Sequence, residues 1–325
     1  MSAPALIPVH VLTGFLGSGK TTLLNAALAA GFGAETAVVV NEFGDVGLDQ
    51  LFVQGRSEET VVLKSGCVCC TLRSDLPSTL MGLLAAGAGP APFRRIVIET
   101  SGISEPLPIL QTLRADFTLR ARFRAGAVLC TVGATDDPAT WARAEACAQI
   151  TAADALVLTK RDLAGPAAAD ATRDALARFN PLADIFDAGG PEFAAWLGRH
   201  EATAGDPSGA ARVPVLPYAR RGVAHDVASI AIRDVAPPSW PQFAVWLTRL
   251  IHVHGDRILR TKGVLFDAER GTWIGIHGVK RFFHPPVHLE LAAPPADGTS
   301  LVFITAGLDP AAIGASYRRM LDDEC

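Results

Sequence analysis

Through the first 200 residues, short runs of Val, Ile and Leu alternate with Ala- and Leu-rich amphipathic stretches. Continuous apolar runs predict strands buried on both faces, and the stretches between them predict helices laid over a parallel sheet. The predicted strands are Ile7–Leu12, Thr36–Val40, Thr60–Leu63, Arg95–Glu99, Ala125–Thr131, Ala155–Thr159 and a short one near Ile185. The predicted helices are Lys20–Ala30, Leu72–Ala86, Leu107–Arg114, Ala139–Ile150, Pro166–Phe179 and Glu192–Arg199, with Pro166 and Pro191 suited to first-turn positions. From Glu201 to Pro217 the sequence turns to Gly, Pro, Ser and Ala without periodicity, as an exposed linker does. Beyond it, strands are predicted at Asp226–Ile232, Ile258–Phe266, Thr272–His277 and Leu301–Thr305. Trp240, Phe243, Trp246, Leu247, Leu250 and Ile251 there share one helical face, read as core. The chain therefore divides into a βαβ domain over residues 1–200, a linker over 201–217 and a smaller α+β domain over 218–325.

Composition narrows the partners. The 325 residues are 49% hydrophobic and carry a net charge of −4, so two cores can be filled and no overall field draws the chain to nucleic acid. Residues 2–19 are uncharged, yet no Lys or Arg precedes them, and Pro4, Pro8, Gly14 and Gly17 interrupt them, unlike an export signal. No later stretch offers the roughly 18 consecutive apolar residues of a membrane span. A cytoplasmic protein with neither a nucleic-acid nor a membrane partner is expected. Of six cysteines, Cys67, Cys69 and Cys70 crowd together while Cys130, Cys147 and Cys325 stand apart, a pattern of reduced thiols rather than a disulfide framework.

Gly14-Phe15-Leu16-Gly17-Ser18-Gly19-Lys20-Thr21 lies between a predicted strand and a predicted helix, the setting of a phosphate-binding loop. Gly14, Gly17 and Gly19 let the backbone curl so that N–H groups, including those of Ser18, Thr21 and Thr22, face phosphate oxygens. Lys20 would neutralise the β and γ phosphates, and Thr21 offers its hydroxyl to magnesium.

The loop alone does not name the base. Thr159-Lys160-Arg161-Asp162 follows a later strand, and a carboxylate at Asp162 can accept from N1 and N2 of guanine, a donor edge that adenine lacks. GTP is thus favoured, with Thr159 standing where Asn is usual. Between these motifs the apolar strand Arg95–Glu99 runs into Thr100, Ser101 and Gly102. Glu99 would hold the metal or its water, and Gly102 would sense the γ phosphate through its N–H, making Ile103–Pro106 a switch segment.

Gly66-Cys67-Val68-Cys69-Cys70 places three thiols within four residues. Thiolates suit zinc first, with cobalt and copper also compatible, and three ligands leave a position open for exchange. A closed zinc finger takes two separated pairs, which this cluster lacks; three buried thiols or a redox centre are the other readings.

Together, GFLGSGKTTLL at 14–24, VVVNEFGDVGLD at 38–49, SGCVCCTLRSDL at 65–76, ETSGISEP at 99–106 and TKRDL at 159–163 resemble the CobW family of phosphate-loop GTPases. RILRTKGVLF at 257–266 and LVFITAGLDP at 301–310 resemble that family's C-terminal domain. The resemblance implies a phosphate-loop NTPase domain with a mostly parallel sheet, followed by the smaller α+β domain. It further implies a GTP-dependent metallochaperone or metal insertase, most often for zinc and in some branches for cobalt. By position, Cys67, Cys69 and Cys70 stand where the family binds metal, and Glu42 is its additional candidate ligand. The eight histidines are dispersed, so the His-rich storage tract of some relatives is lacking.

His252 and His254 point to different faces of a helix, and Arg257, Arg260 and Lys262 read as alternating charge on a half-buried strand. The expected activity is slow GTP hydrolysis, with Lys20, Thr21 and Glu99 as the catalytic groups. GTP orders the segments around Glu42 and Ser101, the thiolates capture zinc, and hydrolysis releases it to an unidentified client protein. A nucleotide-regulated metal buffer or sensor without delivery is the alternative. A phosphoryl-transfer enzyme with structural zinc is a third reading, for which no acceptor-site signature exists.

Overall fold

The computed structural model describes residues 6–29, 35–41, 60–63, 68–86, 93–190, 192, 219–221, 227–234, 238–289 and 298–322. Two compact units make up the chain, residues 1–173 with 184–201 and residues 174–183 with 202–325. The expected linker at 201–217, and all of the expected helix Glu192–Arg199 beyond its first residue, lie outside the described residues.

In the first unit, β1 (Ile7–Gly14), β2 (Thr36–Asn41), β3 (Thr60–Leu63), β4 (Arg95–Glu99), β5 (Phe123–Gly133), β6 (Ala155–Thr159) and β7 (Asp184–Asp187) form one sheet. Their order is β3-β2-β4-β1-β5-β6-β7, and every neighbouring pair is parallel. The connecting helices are α1 (Lys20–Ala29), α2 (Val68–Ala86), α3 (Leu107–Ala115), α4 (Phe117–Arg120), α5 (Ala144–Ala152), α6 (Arg161–Ala164) and α7 (Pro166–Phe179), of which the residues from Asp174 on group with the second unit. Leu23 and Leu24 of α1 pack with Leu12, Val38, Val40, Val97, Leu129 and Val157, so residues from five strands close one core under the helix. Burial on both faces is why these strands read as unbroken apolar runs; all five residues of β6 are buried. The chain turns from β2–β4 on one side of β1 to β5–β7 on the other, and a crevice forms at such a reversal, outside the carboxyl ends of the strands.

Several helical details depart from the sequence reading, the short α6 and the C-terminal helix Pro310–Asp322 among the unexpected helices. The single helix expected over 139–150 is a 3₁₀ turn at Pro138–Ala142 followed by α5, because Arg143 between them is extended at φ −64° and ψ 140°. Helix α4 was not expected; Asp116 starts it by accepting hydrogen bonds from the N–H groups of Thr118 and Leu119 at 2.8 and 3.0 Å. Helix α2 begins at Val68 rather than Leu72, so Cys69 and Cys70 fall in its first turn.

In the second unit, β8 (Ala219–Arg221), β9 (Val227–Asp234), β10 (Ile258–Asp267), β11 (Thr272–Val279), β12 (Phe282–Phe283), β13 (Val287–Leu289) and β14 (Thr299–Ala306) form an antiparallel sheet. The order is β12-β11-β10-β14-β9-β8, with β13 also on β11. Helices α8 (Trp240–His254) and α9 (Pro310–Asp322) accompany it. Ser239 and Gln242 form a capping box at the start of α8, and its Phe243, Trp246 and Leu250 enter the core with Phe303, Ile313 and Tyr317. The aromatic face is thus core, as its spacing predicts. His252 is exposed and His254 half-buried on α8, consistent with the i, i+2 geometry of a helix. Arg260 differs from expectation: β10 is an internal strand, and Arg260 is 0% exposed, with Nη2 3.3 Å from Nε2 of His277.

Candidate functional site

Strand β1 ends at Gly14 and α1 begins at Lys20, and the backbone between them curls in a way that only glycine takes readily. Gly14, Gly17 and Gly19 have φ of +144°, +72° and +92°. A Cβ on Gly14 would stand 2.6 Å from Oγ of Ser18 and in contact with Thr131 of β5. Ser18 itself is buried, its hydroxyl 2.7 Å from that of Thr131, so its side chain anchors the loop to β5 rather than facing a ligand. The Lys20 ammonium donates to the carbonyls of Gly14 at 3.0 Å and Phe15 at 3.3 Å, lying back over the loop. Thr22 is exposed in the first turn of α1.

Thr21 donates its hydroxyl hydrogen to Oε1 of Glu99 across 2.6 Å, joining the start of α1 to the end of β4. Glu99 is 4% exposed. A buried carboxylate and a hydroxyl held together are two hard oxygen donors at one point, the donor set that magnesium takes. Beyond β4, Thr100 donates to the Thr13 hydroxyl at 2.9 Å, and the hydroxyls of Ser101 and Ser104 are 2.5 Å apart. Gly102 lies against the phosphate loop so closely that a Cβ would meet Cα and N of Leu16 at 2.8 Å. From the other side, Gln149 of α5 donates to the carbonyls of Gly102 at 3.1 Å and Ser104 at 2.9 Å.

At the end of β6, the Thr159 hydroxyl donates to the carbonyl of Ser18 at 2.7 Å and more weakly to that of Val132 at 3.3 Å. Lys160 takes a left-handed backbone at φ 57°, which turns the chain into α6, and its ammonium is 3.7 Å from the Asp136 carboxylate. Asp136 is fixed in turn by the N–H of Gly133 at 2.8 Å. Asp162 is exposed in the first turn of α6, while Arg161 and Arg173 both bond Asp187 at the end of β7. Beneath the loop, burial pushes the Cys130 thiol up to about 12, Lys20 opposing the shift and Asp136 adding to it, so this sulfur is a neutral packing group.

Of the predicted residues, Gly14, Gly17, Ser18, Gly19, Lys20, Thr21, Glu99, Gly102 and Thr159 come together at the carboxyl ends of β1, β4 and β6. Glu42 and Cys67 lie outside the described residues, as do the side chains of Cys69 and Cys70. Among the described residues no group of three or more His, Cys, Asp or Glu is placed to hold a metal, and no helix is long and apolar enough to cross a membrane.

Sequence reasoning missed Thr131, Asp136, Gln149 and Asp187. Gln149 alone carried a usable signal, a buried amide within the otherwise small and apolar run Cys147-Ala148-Gln149-Ile150. Thr131 and Asp187 act across elements whose pairing no local pattern reveals, while Asp136 sits in a turn beside Gly133 and meets Lys160 only through the fold.

The model of the CobW/HypB/UreG nucleotide-binding domain matches residues 8–187, and that of the cobalamin synthesis protein cobW C-terminal domain matches residues 227–321. The zinc chaperone YjiA of Escherichia coli is 31% identical over 281 residues, 85% of this chain and 87% of that protein. The zinc-regulated GTPase metalloprotein activator 1 of Schizosaccharomyces pombe is 33% identical over 189 residues, 56% of this chain and only 45% of that protein. The crystal structure of Zn(II)-bound YjiA GTPase from E. coli superposes with a TM-score of 0.71 at 25% identity, covering 98% of this chain and 99% of that one. A triple mutant of YjiA, with one glutamate and two cysteines replaced by alanine, is also Zn(II)-bound and superposes with a TM-score of 0.74.

Proposed function

The chain belongs to the CobW/HypB/UreG family, and we propose that it is a cytoplasmic GTP-hydrolysing metallochaperone that takes up zinc through Cys67, Cys69 and Cys70 and releases it to a client protein. The observation that carries the GTPase part is the contact of Thr21 with buried Glu99 beside the glycine loop, with Thr159 tying that loop to the strand that leads to Asp162.

The loop amides and the helix N-terminus bind the phosphates, and Lys20 exchanges the carbonyls of Gly14 and Phe15 for β and γ phosphate oxygens. Thr21 and Glu99 would hold magnesium, which supplies neutralisation of the charge on the transferring phosphate. Asp162 accepts from N1 and N2 of guanine, and the Gly102 N–H meets the γ phosphate. In the reaction a water oxygen bonds to γ phosphorus as the bond to the β–γ bridging oxygen breaks, giving GDP and phosphate.

Support for zinc comes from the names of the relatives and from the three clustered thiols, whose chemistry suits a borderline cation. Because the E. coli variant lacking a glutamate and two cysteines still carries zinc, the presence of zinc does not identify the ligands, and affinity must be measured. The test is a zinc competition titration of the magnesium-loaded protein with a GTP analogue, with GDP and without nucleotide. It is repeated after replacing Cys67, Cys69 and Cys70 by Ser, and with cobalt in place of zinc. Affinity raised by the GTP analogue and lost in the Ser variant is expected; equal affinity in all nucleotide states overturns the switch. A client that gains zinc as well with the analogue as with GTP would make the chain a buffer.

A further inference from the structure

We infer that Gln149 is a positioning residue of the GTP switch, holding the Gly102–Ser104 segment in place for the γ phosphate; the inference rests on the reading of Gly102 above. Gln149 is 0% exposed and lies in α5, 47 positions along the chain from Gly102. Its Nε2 donates to two carbonyls that flank Ile103, at 3.1 Å to Gly102 and 2.9 Å to Ser104. The orientation of the amide is fixed by chemistry, since a flip would turn its oxygen toward two other acceptors. Oε1 is buried without a partner among the described residues. An apolar side chain of equal length would fill the space without that cost, so what the amide contributes is the segment it holds.

The same helix follows Arg143, whose guanidinium lies 5.6 Å from the centre of the Phe15 ring in the phosphate loop. Helix α5 therefore touches the loop at one end and the switch through Gln149, while Gly102 packs directly on Leu16 between them. A segment held at two carbonyls by a packed helix is ordered before the nucleotide arrives, so the γ-phosphate contact carries no ordering cost. GDP has no γ phosphate, and the phosphate loop and base contacts do not involve Gln149. Loss of the clamp therefore weakens GTP and leaves GDP.

The experiment compares the full chain with Gln149→Met, which keeps length and removes the donor. Affinities for GDP and for a non-hydrolysable GTP analogue are measured with magnesium, together with single-turnover GTP hydrolysis. The expected result is about tenfold weaker analogue binding and about tenfold slower hydrolysis, with GDP affinity changed less than about twofold. Equal losses for GDP and analogue, or no loss for either, overturn the inference. Hydrogen exchange on the unmutated chain is a second arm that does not depend on the variant folding. Residues 101–105 should already exchange slowly without nucleotide, with the analogue adding protection there and GDP adding none; fast exchange of 101–105 in the nucleotide-free chain also overturns it. If the unmutated chain neither binds the analogue nor hydrolyses GTP, the GTPase reading itself fails, an outcome distinct from either arm.

Discussion

The hydroxyl of Thr159 reaches the main-chain carbonyl of Ser18 across 2.7 Å, joining residues 141 positions apart. Through it the glycine loop is tied to the turn that follows β6, with the Thr159 side chain also 3.4 Å from the point where a Cβ on Gly19 would stand. The short Thr159 side chain thus ties the glycine loop to the end of β6, while the following Lys160 pairs with Asp136 and Asp162 stands exposed.

Thr159→Ala leaves the Ser18 carbonyl without that donor and frees the two loops from each other. Affinity for GDP and for a GTP analogue should fall alike, by about tenfold, in a fluorescence titration. Thr159→Asn, which restores a donor, should recover most of it. An unchanged affinity in the Ala variant would show that the link is not what orders the site.

Asp162 is exposed, so its replacement should leave the melting temperature unchanged. Asp162→Asn presents an N–H to the N2 donor of guanine and an acceptor to only one of its two donors. GTP affinity should fall by about ten- to a hundredfold, while xanthosine triphosphate, with an oxygen at position 2, should bind better than to the unmutated chain. Competition between the two nucleotides reads both effects at once.

How far these features could be foreseen depends on how locally each is encoded. Strands β3, β4 and β6 match their expected limits because each is a short run rich in β-branched and apolar residues, and β4 and β6 lie inside a parallel sheet where such runs are buried. The glycine loop was legible because its shape demands glycine at Gly14, Gly17 and Gly19 whatever surrounds it. The break at Arg143 was not, since Arg143 has ordinary helix propensity and only its extended backbone separates the 3₁₀ turn from α5. Helix α9 escaped notice although Ile313 and Tyr317 stand four apart, because the rest of that stretch is small or polar. Ser18 was expected to turn its N–H to a phosphate, and only the pairing of β1 with β5 reveals the separate role of its hydroxyl, which anchors the loop to Thr131.

Glu99→Gln keeps an oxygen that can accept from Thr21, so the fold and the 2.6 Å contact should survive. What is lost is the negative charge. GTP hydrolysis at saturating magnesium should drop on the order of a hundredfold, and the magnesium concentration for half-maximal rate should rise. A rate within twofold of the unmutated chain would remove Glu99 from the catalytic set.

Gly102→Ala forces a Cβ to within 2.8 Å of the Leu16 backbone, which cannot move without distorting the phosphate loop. The cost is about 1–3 kcal/mol if the loop yields. The relief available is to lift the Gly102–Ser104 segment away from the loop, so analogue affinity should fall further than GDP affinity if Gly102 meets the γ phosphate as proposed. A melting curve with and without each nucleotide checks both parts.

Cys130 supplies the pH prediction. Its thiol is raised from an ordinary value near 9 to about 12, chiefly by burial. For a group raised on folding, the stabilisation is complete below the unfolded value, because both states are then protonated. It is lost as pH climbs from about 9 toward about 12, where the unfolded chain ionises and the folded one does not. Chemical unfolding at pH 8 and pH 10 should therefore show lower stability at the higher pH, and Cys130→Ala should flatten that difference. The same shift makes Cys130 inert to iodoacetamide in the native state at pH 8, since the reactive thiolate is absent. Peptide mapping should find Cys130 unmodified until denaturant is added, so thiol-based zinc assays on the folded chain read other cysteines.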